Sequence, residues 1–296
     1  MGKEPRVQRK YRDTLFRLLY RDRQELLKLY NALNGTAYDN QEELEIYTLE
    51  NAVYMNVKND VSFLVQSELN LYEQQSTFNP NMPLRDLIYI SRQFEKYIWD
   101  KSVYSSRLVR LPTPRFVVFY NGTELRPERQ VLKLSDAFEK CSRELEPELE
   151  LKVLMLNINT NYNKELLEKC ETLRGYCRLV EGIRTHVKEL PIEEAAERAV
   201  GECIREGILA DFLRMQRAEV IAVSIFEYHE EEELKKIRAV EYEIGKEEGI
   251  EEGIEIGEKK LTRLLQALLR DGRGEEMLRA VQEEEYRLCL YKEYCI

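Results

Sequence analysis

The chain has 296 residues, of which 43% are hydrophobic and 34% are charged. This composition excludes a disordered polypeptide, because enough apolar side chains are present to bury a substantial core. The longest apolar runs have about five residues, against the roughly 20 that a membrane-spanning helix needs. The charged N-terminus shows no apolar signal segment, so the sequence predicts a cytoplasmic protein without a membrane partner.

Cysteine and histidine are too sparse to carry the chemistry of a site. The six cysteines form no C-x-x-C pair, and only two histidines are present. A zinc cage or a nucleophile activated by histidine is therefore not expected. Cys170 and Cys177 lie seven residues apart on an apolar helical stripe, and we expect them to be core thiols. Any reaction must then depend on carboxylates.

The net charge of -10 is distributed unevenly along the chain. Residues 227–258 contain 13 acidic and four basic side chains, a net charge of -9. Residues 1–23 carry a net charge of +5, with eight basic and three acidic side chains, and residues 92–115 carry +4, with six and two. Each basic stretch is either a solvated surface or a contact for a polyanion, and the sequence leaves both open.

The first half of the chain predicts a helix, a hairpin and a second helix. Residues 11–33 place apolar side chains at a spacing of 3.6, which indicates one helix ended by Asn34-Gly35. Residues 57–75 alternate like a β-hairpin. A helix should then begin near Pro83 and end near Trp99, with Tyr97 and Trp99 packed in the core.

Two apolar, β-branched runs follow, at 115–120 and 151–158, and both are typical of buried strands. Residues 132–141 between them favour a helix, which predicts a crossover between parallel strands. From residue 163 onward the chain is predicted to be helical. The fold class that follows is α/β.

The hairpin brings polar side chains to one end of one face. With a turn over residues 67–68, Asp60 lies opposite Gln75 and Ser62 lies opposite Glu73. Cross-strand neighbours are roughly 5 Å apart and diagonal neighbours roughly 7 Å, so Asp60 and Glu73 can share a divalent cation. A hairpin end that is polar only because it faces water is the alternative.

Several separated motifs together resemble a known family. VKNDVSFLVQSELNLYEQQSTFNPNMPLRDLIYIS, then RFVVFYNG and later ILADFLRMQRAEV, resemble the PD-(D/E)XK nuclease superfamily and, within it, the branch of recombination-promoting nucleases and transposase-related proteins. The likeness extends from about Tyr11 to about Gly257 and is densest between Asn56 and Tyr120. It implies a restriction-endonuclease-like mixed sheet flanked by helices, with a helical C-terminal extension and the active site on the hairpin.

The resemblance assigns roles to five residues around the hairpin. Asp60 matches the metal-binding Asp of the family, and Glu73 matches its second acid. Gln75 stands where the wider superfamily has Lys, although this branch tends to have Gln there. The backbone carbonyl of Gln74 is implied as another metal ligand, and Asp13, on the predicted first helix, as a residue that supports the metal site.

Three further residues are candidate DNA contacts. The hydroxyl groups of Ser76 and Thr77 can donate to a phosphate oxygen, or they can cap the following turn. Arg85 can contact a phosphate, or it can form a structural salt bridge.

The resemblance implies an endonuclease that depends on Mg²⁺, with Mn²⁺ as a substitute, and that cuts DNA with low sequence specificity during recombination or transposition. An RNA-directed nuclease is a weaker option. From a different class, the alternative is a weakly active or inactive nuclease fold that serves as a scaffold or nucleic-acid-binding protein assembling through its C-terminal helices. These helices are also a candidate surface for homodimer formation.

The predicted organisation has four parts: a basic tail at 1–10, a nuclease-like domain at 11–190, a helical extension packed on the core at 191–229, and a C-terminal segment at 230–296. That last segment combines an acidic helix with further helices. Four glycines recur in it at four-residue intervals: Gly245, Gly249, Gly253 and Gly257.

Overall fold

The structure, a computed structural model, describes residues 14–47, 60–139 and 146–296. The chain divides into two compact units, Met1–Glu231 and Glu232–Ile296. Each unit has a hydrophobic core of its own, and each is described by itself.

The first unit is built on a six-stranded mixed sheet. Its strands are β1 (Leu44–Ile46), β2 (Val61–Val65), β3 (Glu68–Gln75), β4 (Thr113–Tyr120), β5 (Arg129–Lys133) and β6 (Lys152–Asn157). They lie in the order β1-β2-β3-β4-β6-β5, with β3, β4 and β6 mutually parallel and the other neighbours antiparallel. The predicted α/β class and the mixed sheet flanked by helices are confirmed.

Helices account for most of the remaining chain. They are α1 (Leu15–Leu19), α2 (Arg23–Asn34), α3 (Met82–Tyr97), α4 (Lys164–Lys169), α5 (Glu171–His186), α6 (Ile192–Arg205), α7 (Ala210–Met215), α8 (Arg217–Arg270), α9 (Met277–Gln282) and α10 (Glu284–Glu293). Short 3₁₀ turns occupy Gln41–Glu43, Leu134–Ala137 and Gly274–Glu276.

The single helix predicted over 11–33 is wrong for the described residues, because two helices occupy that stretch. The hydroxyl of Thr14 caps α1, and the carboxylate of Asp22 accepts hydrogen bonds from the backbone N–H groups of Gln24 and Glu25. A side-chain cap at Asp22 begins a new helix and so interrupts the earlier one. Gly35 ends α2 in the left-handed conformation, as predicted.

The predicted hairpin is confirmed, but its register differs by two residues. Leu64 pairs with Leu69 and Val65 with Glu68, so the turn lies at residues 66–67. Gln66 adopts φ of 55°, the left-handed conformation that a tight turn demands. An even shift leaves every side chain on its predicted face, so the polar end of the hairpin is preserved.

The strands predicted at 115–120 and 151–158 are confirmed, and they lie side by side as the parallel pair β4 and β6. The helix predicted over 132–141 is wrong for residues 132–139, where the end of β5 and a 3₁₀ turn occur; 140 and 141 lie outside the described residues. In β5, Leu132 is buried while Val131 is exposed, and this alternation with a period of two is typical of an edge strand.

The two faces of the sheet carry separate cores. On one face, Leu69 and Leu71 of β3 pack with Tyr89 and Ile90 of α3. On the other face, α1, α2 and α5 to α8 contribute to a larger cluster that contains Tyr72. Cys170 and Cys177 lie in this second cluster as buried free thiols, as predicted.

The second unit has a small core at the C-terminal end of α8. Leu264 and Leu268 are fully buried there with Ala280 and Leu290. Within the described residues, no helix is both long and apolar enough to cross a bilayer.

Candidate active site

Asp60 lies where the β2–β3 hairpin opens. The ladder between the two strands ends at the pair Val61 and Tyr72. Two residues further on, the backbone N–H of Gln74 has no strand partner on that side and donates instead to Oδ2 of Asp60 at 2.8 Å. The hydroxyl of Thr14 donates to Oδ1 at 3.3 Å. The Asp60 carboxylate therefore bonds to the end of β3 where the strand ladder stops, and two hydrogen bonds, one to each of its oxygens, fix its position.

Glu73 lies on the face of β3 that α3 covers, and only 8% of the residue is exposed. Its Oε1 atom lies 3.0 Å from Nη2 of Arg85 and accepts a hydrogen bond of 3.2 Å from Nε2 of Gln75. Both contacts that Glu73 makes within the described residues involve Oε1, so Oε2 is the oxygen left to bind a ligand.

Gln75 is buried between Glu73 and α3. Its Nε2 atom also lies 2.7 Å from the sulfur of Met82, and its backbone carbonyl accepts from the N–H of Asn121 on the β4 side. Carbonyls of successive strand residues alternate in direction, so the carbonyl of Gln74 points to the opposite side, where Asp60 lies. Asp60, Glu73, Gln75 and the carbonyl of Gln74 therefore lie together at the end of the β2–β3 hairpin. All four are candidate site groups from the sequence analysis.

Burial raises the pKa of both acids. The pKa of Asp60 rises to about 6, because loss of hydration outweighs the hydrogen bonds from Gln74 and Thr14 and the charges of Arg17 and Arg85. The pKa of Glu73 rises to about 7, because loss of hydration and the charge of Asp60 outweigh the favourable charge of Arg85. Part of the Asp60 surface remains accessible, while the protein excludes water from most of its surroundings.

Two further carboxyl groups adjoin the site, and the sequence analysis missed both. Asp86 of α3 is buried, and its pKa is raised by loss of hydration and by the charge of Glu73. Glu227 of α8 accepts a hydrogen bond of 2.9 Å from the backbone N–H of Leu15, and burial raises its pKa to about 8, with a contribution from Asp60. Four acids therefore lie near one another at this end of the sheet: the charge of Asp60 contributes to the raised pKa of Glu73 and of Glu227, and the charge of Glu73 to that of Asp86.

The sequence did contain a signal for Glu227. This residue is the first acid of the run 227–258. It lies four residues after Val223 and seven after Val220, both of which are buried. The helical spacing therefore places Glu227 on the packed stripe of α8. For Asp86 the signal is its position four and three residues before the buried Ile90 and Tyr89.

The loop that follows β4 begins at Asn121 and contacts the end of β3 that carries the site, because Nε2 of Gln74 donates to Oδ1 of Asn121 at 2.7 Å. The guanidinium of Arg184 donates to the backbone carbonyl of Asn121 and lies 3.2 Å from Oε2 of Glu231. The side-chain amide of Asn121 donates to the hydroxyl of Tyr176 at 3.1 Å. Next to Asn121, a Cβ on Gly122 would collide with the backbone carbonyl of Ser76. Glycine is required here so that the segment after β3 can pass close to the loop.

The three candidate DNA contacts differ in how far they are buried and in whether they have a partner within the protein. The hydroxyl of Thr77 is buried and has no hydrogen-bond partner among the described residues, and Ser76 is half-buried. Arg85 forms the salt bridge that the sequence analysis considered as its alternative role, with 30% of its side chain exposed. Asp13 lies outside the described residues.

Mg²⁺ prefers hard oxygen donors, and two carboxylates with one backbone carbonyl match that preference. The raised pKa values show that the negative charges of Asp60 and Glu73 are incompletely compensated by the protein, which is the environment that a cation would relieve. Within residues 14–47, 60–139 and 146–296, no group of three or more His, Cys, Asp or Glu side chains is arranged to hold a metal ion. The donor types fit Mg²⁺, but only two carboxylates contribute to the set and Arg85 holds one oxygen of Glu73.

The chain was compared with protein-family profiles, with curated proteins and with solved structures, and none of them matches it.

Proposed function

We propose that this protein is a metal-dependent DNA endonuclease of the PD-(D/E)XK type, which hydrolyses phosphodiester bonds with low sequence specificity in recombination or transposition. The observation that carries the proposal is the meeting of Asp60 and Glu73 at one end of the β2–β3 hairpin, where the charge of Asp60 contributes to the raised pKa of Glu73. Their motif resembles that family, and a mixed sheet flanked by helices is compatible with a restriction-endonuclease-like fold.

In this proposal, Asp60, Glu73 and the carbonyl of Gln74 hold Mg²⁺ or Mn²⁺, with Asp13 as an additional candidate ligand. The bound ion supplies a water of lowered pKa and neutralises negative charge on the phosphate. Thr14 and the Gln74 N–H keep the Asp60 carboxylate oriented through their hydrogen bonds.

Gln75 and Arg85 divide the role that a single lysine has in the wider superfamily. The Gln75 amide donates to Glu73 and orients it, but it carries no charge. The guanidinium of Arg85, 3.0 Å from the same carboxylate, supplies a positive charge at this point. With a cation on Glu73, Arg85 would be available to contact a phosphate oxygen of the substrate.

The test is nicking of supercoiled plasmid DNA in Mg²⁺ and in Mn²⁺. Asp60→Asn and Glu73→Gln keep the side-chain shapes and are expected to lower the rate at least about 100-fold, because each removes a charged metal ligand. Glu148→Gln, at an exposed position away from the hairpin, is the matched control and should retain full activity. Parallel assays with single-stranded RNA identify the nucleic acid. Equal rates for all four proteins, or no cleavage with either metal, would contradict the proposal.

A second candidate function is a scaffold that retains the fold without hydrolysis and assembles through its C-terminal helices. Two observations favour it. Arg85 already forms an ion pair with Glu73 without a metal. In the second unit, the α8 side chains of Ile244, Ile250 and Ile254 are exposed. An inactive protein that sediments as a dimer, and becomes monomeric when these isoleucines are replaced by Gln, would support this candidate instead.

A further inference from the structure

The segment between α3 and β4 is a long surface loop. Residues 98–112 contain neither helix nor strand, which makes fifteen residues. Loops of this length are uncommon in compact domains and usually have a function of their own. The two ends of this segment, which we call the basic loop, are anchored, because Ile98 N–H donates to the carbonyl of Phe94 in α3 and Thr113 N–H donates to the carbonyl of Ser67.

The basic loop exposes large apolar and aromatic side chains. Trp99 is 90% exposed, Tyr104 is 97% exposed and Leu108 is 84% exposed. The prediction that Trp99 packs in the core is therefore wrong: α3 ends at Tyr97 and carries its buried stripe no further. Tryptophan is normally well buried, so full exposure of the only tryptophan of the chain points to a contact with another molecule.

The same loop is positively charged within an acidic protein. It contains Lys101, Arg107 and Arg110 against one acid, Asp100, so its net charge is +2 while the whole chain carries -10. The ammonium group of Lys101 lies 3.9 Å from the centre of the Tyr97 ring. Cations and exposed rings therefore alternate along one short segment, which suits a ligand that is both anionic and aromatic.

We propose that the basic loop is a binding platform for single-stranded DNA, with bases stacked on Trp99 and Tyr104 and phosphates against Arg107 and Arg110. Exposed rings and cations are the two elements by which proteins hold single strands without sequence preference. A duplex fits less well, because its bases are already stacked on each other. The choice of DNA rests on the proposed function, whereas the charge and the exposed rings do not.

The platform is separate from the acids on β3. The loop enters β4 at Thr113, which pairs with Glu68, whereas Gln75 pairs with Tyr120 at the other end of the strand. At about 3.3 Å per residue, these two ends of β4 are roughly 23 Å apart. Binding to the loop is therefore expected to be independent of Glu73.

The experiment titrates the full chain with a fluorescein-labelled 20-nucleotide oligothymidylate in EDTA, so that no hydrolysis occurs. Saturating oligonucleotide is expected to quench the fluorescence of Trp99. By anisotropy, Trp99→Ala and Tyr104→Ala should each raise Kd roughly fivefold or more, the loss expected for one stacked base. Tyr242→Ala, which removes an exposed tyrosine in the second unit, is the matched control and should leave Kd unchanged.

The contribution of the two arginines to DNA binding is measured separately, from the salt dependence of the binding constant. Arg107→Gln combined with Arg110→Gln should reduce the slope of log K against log salt by about 1.4, since each phosphate contact on a single strand contributes about 0.7. Because the titration is performed in EDTA, binding is measured without hydrolysis. Binding that depends on Trp99 in a protein that shows no nuclease activity would therefore contradict the proposed function and leave this inference intact.

Three results would overturn the inference. The first is unquenched Trp99 fluorescence, or a Kd that Trp99→Ala does not change. The second is tighter, Trp99-dependent binding of oligouridylate than of oligothymidylate, which would assign the loop to RNA. The third is a change of oligomeric state in Trp99→Ala without a change in Kd, which would assign the loop to self-association.

Discussion

The substitution Glu73→Gln is expected to flatten the pH dependence of folding stability. Burial raises the pKa of Glu73 from its ordinary value of 4.5 to about 7. The folded protein thus holds this proton more tightly than the unfolded chain does. The stability contributed by the neutral carboxyl is fully present below about pH 4.5 and is lost as the pH rises through 7.

The size of this loss follows from the same two values. At about 1.4 kcal/mol for each tenfold change in proton affinity, the total is roughly 3 kcal/mol, and most of it falls between pH 5 and pH 8. Glutamine keeps the shape of the side chain and cannot ionise, so this part of the pH dependence disappears. Because Arg85 loses its ionic partner in the variant, the difference between two pH values is informative and the absolute stability is not.

The assay is urea denaturation followed by far-ultraviolet circular dichroism at pH 5, 6, 7 and 8 and constant ionic strength. Between pH 5 and pH 8, the wild-type protein should lose roughly 2–3 kcal/mol more unfolding free energy than Glu73→Gln does. Glu148→Gln removes one exposed negative charge and should follow the wild-type curve. Parallel curves for the wild type and Glu73→Gln would refute the reasoning, since Glu73 would then ionise equally easily in both states.

Three other changes test separate parts of the structure. With Mg²⁺ at ten times its Kd, thermal melts should show about 1.4 kcal/mol of stabilisation for the wild type and none for Asp60→Asn; equal gains would place the ion elsewhere. Gly122→Ala should destabilise the first unit by about 1–3 kcal/mol in urea, because its Cβ would collide with a backbone carbonyl, while Gly201→Ala, which meets open space in α6, should be neutral or stabilising. Similar results for these two variants would contradict the close approach at Gly122. Gly249→Ala should stabilise the helix by about 1 kcal/mol by circular dichroism, since nothing lies within 4 Å of its Cβ; a loss would indicate a partner packed at that position.

Local periodicity was enough to predict the hairpin, the two central strands and the apolar stripes of the helices. Each of these patterns depends only on side chains that are close along the chain, so it can be recognised without knowledge of distant contacts. The parallel pairing of β4 and β6 was predicted from a crossover between them, and it is confirmed although residues 132–139 do not form the helix on which that prediction depended. The polar end of the hairpin was also predictable, because an error of two residues in register leaves each side chain on the same face.

Two helices predicted from apolar periodicity are wrong. In one case a side-chain cap divides the helix, and in the other the segment forms a strand at the edge of the sheet. A continuous apolar stripe predicted one N-terminal helix, but the side chain of Asp22 captures two backbone N–H groups and begins another. Residues 132–139 contain enough apolar positions to suggest a helix. At the edge of the sheet only one face of β5 needs to be covered, so alternate exposure is tolerated there.

The sequence therefore established which residues could form a site, namely Asp60, Glu73 and Gln75, and on which face of the hairpin they lie. It could not establish what surrounds them. Glu227 reaches Leu15 across 212 residues, and Arg85 is directed at Glu73 by the packing of α3 on the sheet. Charge compensation, burial and proton affinity depend on these distant neighbours, and they arise when the chain folds and removes water from around the acids.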